Sequence, residues 1–248
     1  MATTEIKNNA FVVRDKYKSG WEMWVLLMSD EHFDGINCDR ALLKKHHEEA
    51  KERNALIFKF GDIFDCIKKD ALKFYSHYKN NIVFISPGNH EQSILKNHEI
   101  DLTESLGEGL NCHVGKYAGF IKFFFINEAG GGKRSFTLYY THGSGGGAPV
   151  TKGVIKNNRR QHTIDADFYV SGHIHTGTLQ PRPKVYLNEQ CIVKRKEPEH
   201  IILGAYKNEF LNGGWEDSKE FDPPVLGGMW LRFYFRNSKV LYDLIRAK

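Results

Sequence analysis

Cysteine is scarce in this chain, and its few cysteines show no metal-binding or redox pattern. The 248 residues include four cysteines, Cys38, Cys66, Cys112 and Cys191, and none of them forms a C-x-x-C pair. Small secreted scaffolds are instead rich in closely spaced cysteines. We therefore expect free thiols and a reducing compartment, the cytoplasm.

Long apolar runs are also missing. No stretch of about 18 consecutive apolar residues occurs, so the sequence predicts no membrane span and no membrane partner. The first residues, MATTEIKNNAF, lack a basic region followed by an apolar one, and we expect no secretory signal. From these absences we expect that the protein neither spans a membrane nor is secreted.

The composition is that of an ordinary globular protein with a mild positive balance. Hydrophobic residues make up 41% of the chain and charged residues 26%, and the formal net charge is +5. A positive balance suits an anionic substrate and is compatible with nucleic acid. A surface with slightly more lysine than glutamate explains the charge equally well.

Strands and helices alternate in the first half of the chain. Short apolar segments typical of buried strands occur at 21–29, 55–60 and 81–86. Segments with helical patterns occur at 37–54, 68–80 and 91–110. Within the first helix, the run KKHHEEAKER (44–53) indicates a solvent-exposed helix. The alternation predicts parallel β-α-β units.

The second half is richer in strands. Segments 119–128 and 135–142 predict a hairpin around a glycine-rich turn, and 165–172 predicts a further strand. Four more strand-like segments follow: VYLNEQCIV, HIILGAY, MWLRFYF and KVLYDLI. We expect residues 1–248 to form a single α/β domain with two sheets and a strand-rich C-terminal part.

The predicted strands repeatedly end in residues that can bind metal. Asp-x-His follows the first strand, Gly-Asp the second, Gly-Asn-His-Glu the third, His-Gly the hairpin and Gly-His-x-His the next strand. The residues are Asp30, His32, Asp62, Asn89, His90, His142, His173 and His175. Each motif alone also fits a turn or a helix cap. Ligands bind beyond the carboxyl ends of strands in α/β sheets, so the whole series favours a metal site.

The five motifs, in this order, resemble those of the calcineurin-like metallophosphoesterases, a family of binuclear metal hydrolases. They extend from Asp30 to His175, and the last quarter of the chain carries no motif that can be assigned. The resemblance implies a two-sheet β-sandwich flanked by helices, the αββα arrangement. It also implies hydrolysis of phosphate esters by a metal-bound hydroxide.

The resemblance further implies a role for each of these residues. One metal would be held by Asp30, His32 and His175. The other would be held by Asn89, His142 and His173, with Asp62 bridging the two. His90 would bind no metal and would act as the general acid that protonates the leaving oxygen. Because imidazole, carboxylate and amide donors are mixed, two divalent ions drawn from Mn, Fe, Zn or Ni fit, and we expect Mn to serve in vitro.

The substrate class is left open by the motifs. No arginine follows the second motif, which argues against the protein serine/threonine phosphatases, and the fourth motif lacks the paired histidines of cyclic-nucleotide phosphodiesterases. The positive balance favours a phosphodiester, either nucleic acid or nucleotide. The alternatives are a phosphomonoesterase or nucleotide phosphatase and, more distantly, a non-catalytic interaction scaffold of the same fold, which would be expected to lose ligands or the acid.

Several other residues have two interpretations each. Asp65 and Glu91 fit carboxylates that orient the ligands, and they fit helix-start residues equally well. A cluster of cations can steer an anionic substrate or can line a solvated helix: Lys152, Lys156, Arg159 and Arg160. The loops 142–153 and 212–230 are candidate substrate contacts, with Trp215 either stacking on a base or pinning its loop.

Overall fold

The computed structural model describes residues 2–65, 69–145, 153–208 and 223–248. The strands are β1 (Thr3–Lys7), β2 (Ala10–Tyr17), β3 (Glu22–Met28), β4 (Leu56–Phe60), β5 (Ile82–Ser86), β6 (His113–Val114), β7 (Ala118–Asn127), β8 (Lys133–Thr141), β9 (Phe168–Ser171), β10 (Thr178–Pro181), β11 (Lys184–Leu187), β12 (Val193–Lys196), β13 (Glu199–Ile202), β14 (Met229–Arg236) and β15 (Lys239–Arg246). The helices are α1 (Arg40–Glu52), α2 (Lys69–Tyr75), α3 (Asn89–His98), α4 (Leu102–Leu110) and α5 (Val154–Thr163).

Some residues singled out in the sequence lie outside these ranges. Cys66, Lys152 and Trp215 are among them, as are most of the two candidate loops. The other three cysteines are free thiols, as predicted. In the described parts of the chain, no helix combines the length and the apolar character needed to cross a membrane.

Two large sheets form the centre of the molecule. The first has seven strands in the order β1-β2-β7-β8-β9-β13-β10, and the second has six in the order β15-β14-β3-β4-β5-β6. In the second sheet, β3, β4, β5 and β6 are parallel, as strand–helix alternation predicts. In the first sheet, β8, β9 and β13 are parallel. Strands β11 and β12 form a separate two-stranded ribbon.

An aromatic core joins the two sheets face to face. Phe58 of the second sheet stacks on Phe123 of the first with ring centroids 6.0 Å apart, and Phe123 contacts Phe233 at 4.9 Å. All three rings are fully buried. Such pairs add to the burial of apolar area and fix how the sheets lie on each other. This packing therefore fixes the position of the carboxyl ends of the parallel strands in one sheet relative to those in the other.

The other face of the second sheet is covered by helices. Leu43 of α1 and Leu106 of α4 are fully buried in a second apolar cluster with Ile57 and Ile85 of the sheet. The fold class predicted from the sequence is confirmed: two packed β-sheets flanked by helices in a mixed α/β protein.

The prediction that segment 44–53 is simply an exposed helix is wrong for its two histidines. His46 and His47 are both fully buried. The Nδ1 atom of His46 lies 2.8 Å from the hydroxyl of Tyr206, and His47 donates its Nδ1–H to the carbonyl oxygen of Leu43. Both rings belong to the buried face of α1, and Nε2 of His46 is buried there without a partner among the described residues.

The partner of His47 is a buried ion pair below the candidate site. Lys59 alternates with Phe58 and Phe60 along β4, so its side chain points toward the helices. Its ammonium donates to Glu31 at 2.5 Å and to Nε2 of His47 at 3.0 Å. The hydroxyl of Tyr75 donates to the other oxygen of Glu31. Both charged side chains are fully buried, so the carboxylate and the ammonium each depend on the other.

Three elements differ from what the sequence predicts. The residues before Trp21 form the hairpin β1–β2, which no pattern in that segment indicated. The helical segment 91–110 is two helices, because Glu99 adopts a left-handed conformation and Asp101 caps a new helix by accepting from the amide of Glu104. VYLNEQCIV is a ribbon and its turn rather than a single strand.

The buried ion pair gives a test of the fold. We predict that Lys59→Met will lower the free energy of unfolding by about 3–5 kcal/mol, because it leaves the Glu31 carboxylate buried without a cation. The double variant Lys59→Met/Glu31→Gln removes both charges and keeps an acceptor for Tyr75, so it should regain more than half of that loss. Urea unfolding measures both; equal losses in the two variants would contradict the pairing.

Candidate metal centre

All eight candidate residues lie at the carboxyl ends of parallel strands, where the two sheets meet. The second sheet contributes Asp30 and His32 after β3, Asp62 after β4, and Asn89 and His90 after β5. The first sheet contributes His142 after β8, and His173 and His175 after β9. Main-chain hydrogen bonds join neighbouring loops: the amide of Asp30 donates to Gly61 and that of His32 to Asp62. The structure therefore brings the predicted residues together.

The backbone at this edge is unusual. Five of the candidate residues have left-handed φ values between 44° and 71°: Asp30, His32, Asp62, His173 and His175. Such φ values are uncommon for residues other than glycine and cost free energy. Clusters of them occur where a functional site fixes the direction of its side chains. Here they turn consecutive side chains toward one point.

Glycines allow the loops to approach each other. A Cβ atom on Gly88 would lie 2.1 Å from Oδ1 of Asp62, and one on Gly172 would lie 2.3 Å from Oδ2 of Asp30. A Cβ on Gly61 would lie 2.6 Å from the Cα of Gly88. These glycines are those of the Gly-Asp, Gly-Asn-His and Gly-His-x-His motifs. The motifs need glycine because the chain passes within contact distance of the carboxylates.

Asp30 organises one side of the centre. Its carboxylate is fully buried, and the amide of His173 donates to both of its oxygens, at 2.9 Å to Oδ2 and 3.1 Å to Oδ1. Nε2 of His175 lies 3.2 Å from Oδ1 of the same carboxylate. Burial opposes ionisation of Asp30, but His175 and His142 outweigh burial and hold its pKa well below the usual range.

Asp62 organises the other side. Its Oδ1 accepts from the amide of His90 at 3.0 Å, and its Oδ2 lies 3.1 Å from Nε2 of His142. His142 donates its Nδ1–H to the carbonyl oxygen of Phe60, which directs Nε2 toward Asp62 and Oδ1 of Asn89 at 3.1 Å. Burial disfavours the charged form of His142, yet Asp30 and Asp62 raise its pKa to about 9.

These donors fit divalent metals. Ligand atoms of Asp30, His32 and His175 lie within 4.8 Å of one another, and so do those of Asp62, His142 and His173. The bond from His142 to Phe60 orients the ring so that Nε2 faces the centre, and a metal bound there would displace the proton from this nitrogen. The carboxylates create a negative potential at the imidazole nitrogens, and a cation placed between them would be stabilised by it. The ligand assignment itself stays a prediction.

A third donor group is a hydrogen-bonded array at the rim. Asp65 accepts at the same Oδ1 from Nδ1 of His32 at 2.6 Å and from Nδ1 of His90 at 3.0 Å. Burial opposes ionisation of Asp65, but these two histidines keep its pKa below the usual range. Of the two interpretations that the sequence allowed, the orienting role fits Asp65, because it fixes both rings and leaves each Nε2 facing the centre.

Glu91 also has the orienting role. It is buried, and it accepts from the amides of Asp62 at 3.0 Å, Ile63 at 2.6 Å and Phe64 at 3.1 Å. It also accepts from the amide of Gly88 at the start of its own helix at 2.8 Å. One carboxylate thus joins the second and third motifs. The sequence left this role undecided because an acid three residues after a helix cap has a local function as well.

His90 differs from the other histidines in exposure. Its side chain is 36% exposed, whereas those of His32 and His142 are 3% and 0% exposed. The hydrogen bond that His90 donates to Asp65 raises the pKa of His90, against the effect of partial burial. A ring that is oriented by a carboxylate and open to solvent can exchange a proton with a bound molecule.

Comparisons with solved structures support the overall fold. GAP50, the anchor in the inner membrane complex of Plasmodium, is 13% identical with a TM-score of 0.50, and the match covers 92% of this chain and 85% of that one. Vacuolar protein sorting 29 from Cryptosporidium parvum is 14% identical, covering 91% and 97%, with a TM-score of 0.41. The NAD nucleotidase NadN from Haemophilus influenzae is 14% identical, covering 91% and 49%, with a TM-score of 0.38.

At these identities the likeness shows the fold alone, and of these three matches the one to GAP50 is close enough to support it. No protein-family model and no curated protein matches the chain significantly.

The close approach of Gly88 to Asp62 gives a test of the site. Gly88 has a φ of −104°, which alanine adopts freely, so the effect of Gly88→Ala comes from its methyl group, which would displace both the carboxylate and the backbone amide of Asp62. We predict a folded variant whose Mn²⁺ affinity, measured by calorimetry, is at least tenfold lower.

The control is Gly130→Ala. Gly130 has a φ of +86° and open space around it. This variant should lose about 1–2 kcal/mol of stability through its backbone but should bind Mn²⁺ as the wild type does. Unchanged Mn²⁺ affinity in Gly88→Ala would contradict the proposed place of Asp62.

Proposed function

We propose that this protein is a metal-dependent phosphoesterase of the calcineurin-like type, with a binuclear centre. The observation that carries the proposal is the convergence of seven imidazole, carboxylate and amide side chains from five strand ends, with two groups of donors close enough to hold a metal each. An eighth residue, His90, stands beside them, oriented by Asp65.

The ligand sets follow the two halves of the site. Asp30, His32 and His175 would hold one ion, and Asn89, His142 and His173 the other. Asp62, whose carboxylate lies within reach of His142 and His173, would bridge the two ions. Two divalent cations would supply the positive charge that binds a phosphoryl group and a nucleophile available near neutral pH. The mixed donors accept Mn, Fe, Zn or Ni, and Mn is the ion we favour for assays.

His90 would act as the general acid. Its Nδ1 faces Asp65 and its Nε2 lies 3.9 Å from Oδ2 of Asp62, at the mouth of the site. This position supports a role in which Nε2 would give its proton to the leaving oxygen of a phosphate ester. Asp65 stabilises the protonated ring and keeps its orientation during the transfer.

The substrate that we favour is a phosphodiester, either nucleic acid or nucleotide. The net charge of +5 supports an anionic substrate of some size. A phosphomonoesterase or nucleotide phosphatase is the alternative within the same chemistry. A non-catalytic scaffold would have no need of His90, so the first two measurements below also separate it from an enzyme.

The metal requirement is the first test. We predict that the purified protein hydrolyses bis(p-nitrophenyl) phosphate with added Mn²⁺ and loses this activity in chelator. Asp62→Ala should lose bound metal and activity together, because it removes the carboxylate between the two donor groups. Asp70→Ala, which removes an exposed carboxylate at the start of α2, should change neither. Activity that survives exhaustive metal removal would rule out the proposal.

The second test separates proton transfer from metal binding. His90→Ala should keep its metal content but lose turnover by about 10²–10⁴-fold, most strongly for an alkyl ester whose leaving group needs a proton. An aryl ester should suffer less. His98→Ala, which removes an exposed histidine at the end of the same helix, is the control. Loss of metal from His90→Ala, or an equal decrease for both esters, would contradict the acid role.

A further inference from the structure

A shallow pocket, open to solvent and with little enclosed space, lies beside the candidate metal centre. Its walls come from the loop after β8, the turn after β9 and helix α5. The lining residues include Gly143, Ser144, Lys156, Arg160, Gly172 and Ile174. None of the eight residues assigned to the metal centre is among those that line it.

The pocket shares its backbone with the centre. Gly143 directly follows His142, and Gly172 directly precedes His173. The amide of Gly172 donates to the carbonyl oxygen of His142 at 3.0 Å, so the two loops are joined there. The hydroxyl of Tyr117 donates to the carbonyl oxygen of Gly143. A group bound in the pocket would therefore lie next to the half of the site that holds His142 and His173.

Two cations of α5 line this pocket. The ammonium of Lys156 donates to the carbonyl oxygen of Ser144 and lies 3.4 Å from the carbonyl oxygen of Gly145. These two contacts occupy two of the three N–H donors of the ammonium. Among the described residues, no carboxylate forms an ion pair with Lys156. Arg160 is partly buried, and burial lowers the pKa of its guanidinium, which nonetheless stays charged at neutral pH. Arginine in such a place binds phosphate with paired hydrogen bonds.

The sheet surface near α5 carries further positive charge and unsatisfied polar atoms. Gln161 of α5 donates to the carbonyl oxygen of Arg182, whose Nε is buried without a partner. His200 is fully buried against Tyr169, and both of its ring nitrogens lack a partner among the described residues. Burial and the neighbouring Arg182 and Arg160 lower the pKa of His200 to about 4. His200 is therefore neutral near pH 7, and Arg182 and Arg160 are the charges that act on it most strongly.

We propose that this pocket binds a second phosphate group of the substrate while the scissile phosphate lies at the metal centre. The substrate class is then a phosphate ester with at least one more phosphate, and Arg160 and Lys156 select it. The second phosphate can come from the next linkage of a nucleic-acid strand or from the phosphate chain of a nucleotide. This inference rests on the proposed function, because it defines the substrate of the same site.

The test uses two esters that differ by one phosphate. They are the p-nitrophenyl ester of thymidine 5′-phosphate and the same ester with an added 3′-phosphate, so the leaving group and the sugar are identical. For the wild type, the 3′-phosphate should lower KM by about tenfold, the effect of one charge-assisted contact. In Arg160→Met the ratio of the two KM values should fall toward one. Arg159→Met, which removes the exposed neighbour on α5, should keep the wild-type ratio.

Other outcomes overturn the pocket assignment. It fails if the wild type neither distinguishes the two esters nor binds adenosine 5′-diphosphate more tightly than adenosine 5′-phosphate. It also fails if Arg160→Met keeps the full ratio. If Arg160→Met does not fold, as judged by circular dichroism, Lys156→Met takes its place with the same expected result. Competition by two inhibitors distinguishes the sources. Stronger inhibition of the wild type by thymidine 3′,5′-bisphosphate indicates the spacing of a nucleic-acid strand, and stronger inhibition by adenosine 5′-diphosphate indicates the phosphate chain of a nucleotide. In either case the variant should be inhibited less than the wild type.

A direct titration separates this inference from the proposed function. If the wild type hydrolyses neither ester with Mn²⁺, the proposed function fails, and calorimetric titration of thymidine 3′,5′-bisphosphate then decides the pocket. Binding that is weakened about tenfold in Arg160→Met and kept in Arg159→Met supports the anion site. Equal binding by wild type and both variants overturns it.

Discussion

The position of Asp62 is the constraint on which the rest of the site depends. Its carboxylate meets the amide of His90 and Nε2 of His142, and its own amide is held by Glu91. These contacts tie three loops from two sheets to one side chain. They require the loops to pass so closely that Gly88 has no room for a Cβ atom. They also require left-handed backbone, which the surrounding hydrogen bonds hold in place.

Two polar arrays, one buried and one at the rim, support this arrangement from opposite sides. Below it, Glu31 sits between the candidate ligands Asp30 and His32 in sequence but points the other way, to Lys59 and Tyr75. At the rim, Asp65 orients His32 and His90. An unpaired buried carboxylate would cost several kcal/mol, so each array fixes the segment that carries it. The aromatic core between the sheets, with Phe58 stacked on Phe123, then keeps both halves of the site in register.

The strand ends and the candidate residues could be predicted from the sequence because each motif follows a short apolar run. The periodicity of β3, β4 and β5 places Asp30, Asp62 and Asn89 at one edge without knowledge of packing. The burial of His47 could not be predicted, since its partner Lys59 is distant along the chain and a lysine in a strand usually indicates exposure. The roles of Asp65 and Glu91 also depend on contacts between loops. The hairpin β1–β2 carries only a weak local pattern, and its pairing with β7 is a long-range contact.

We infer that these side chains form one centre for two metal ions. Anomalous diffraction from crystals grown with Mn²⁺ tests it most directly, because the signal locates each ion independently of activity. The account predicts two peaks about 3.5–4 Å apart, both within bonding distance of the Asp62 carboxylate, one beside His175 and the other beside His142. A single peak, or peaks that do not contact Asp62, would contradict it.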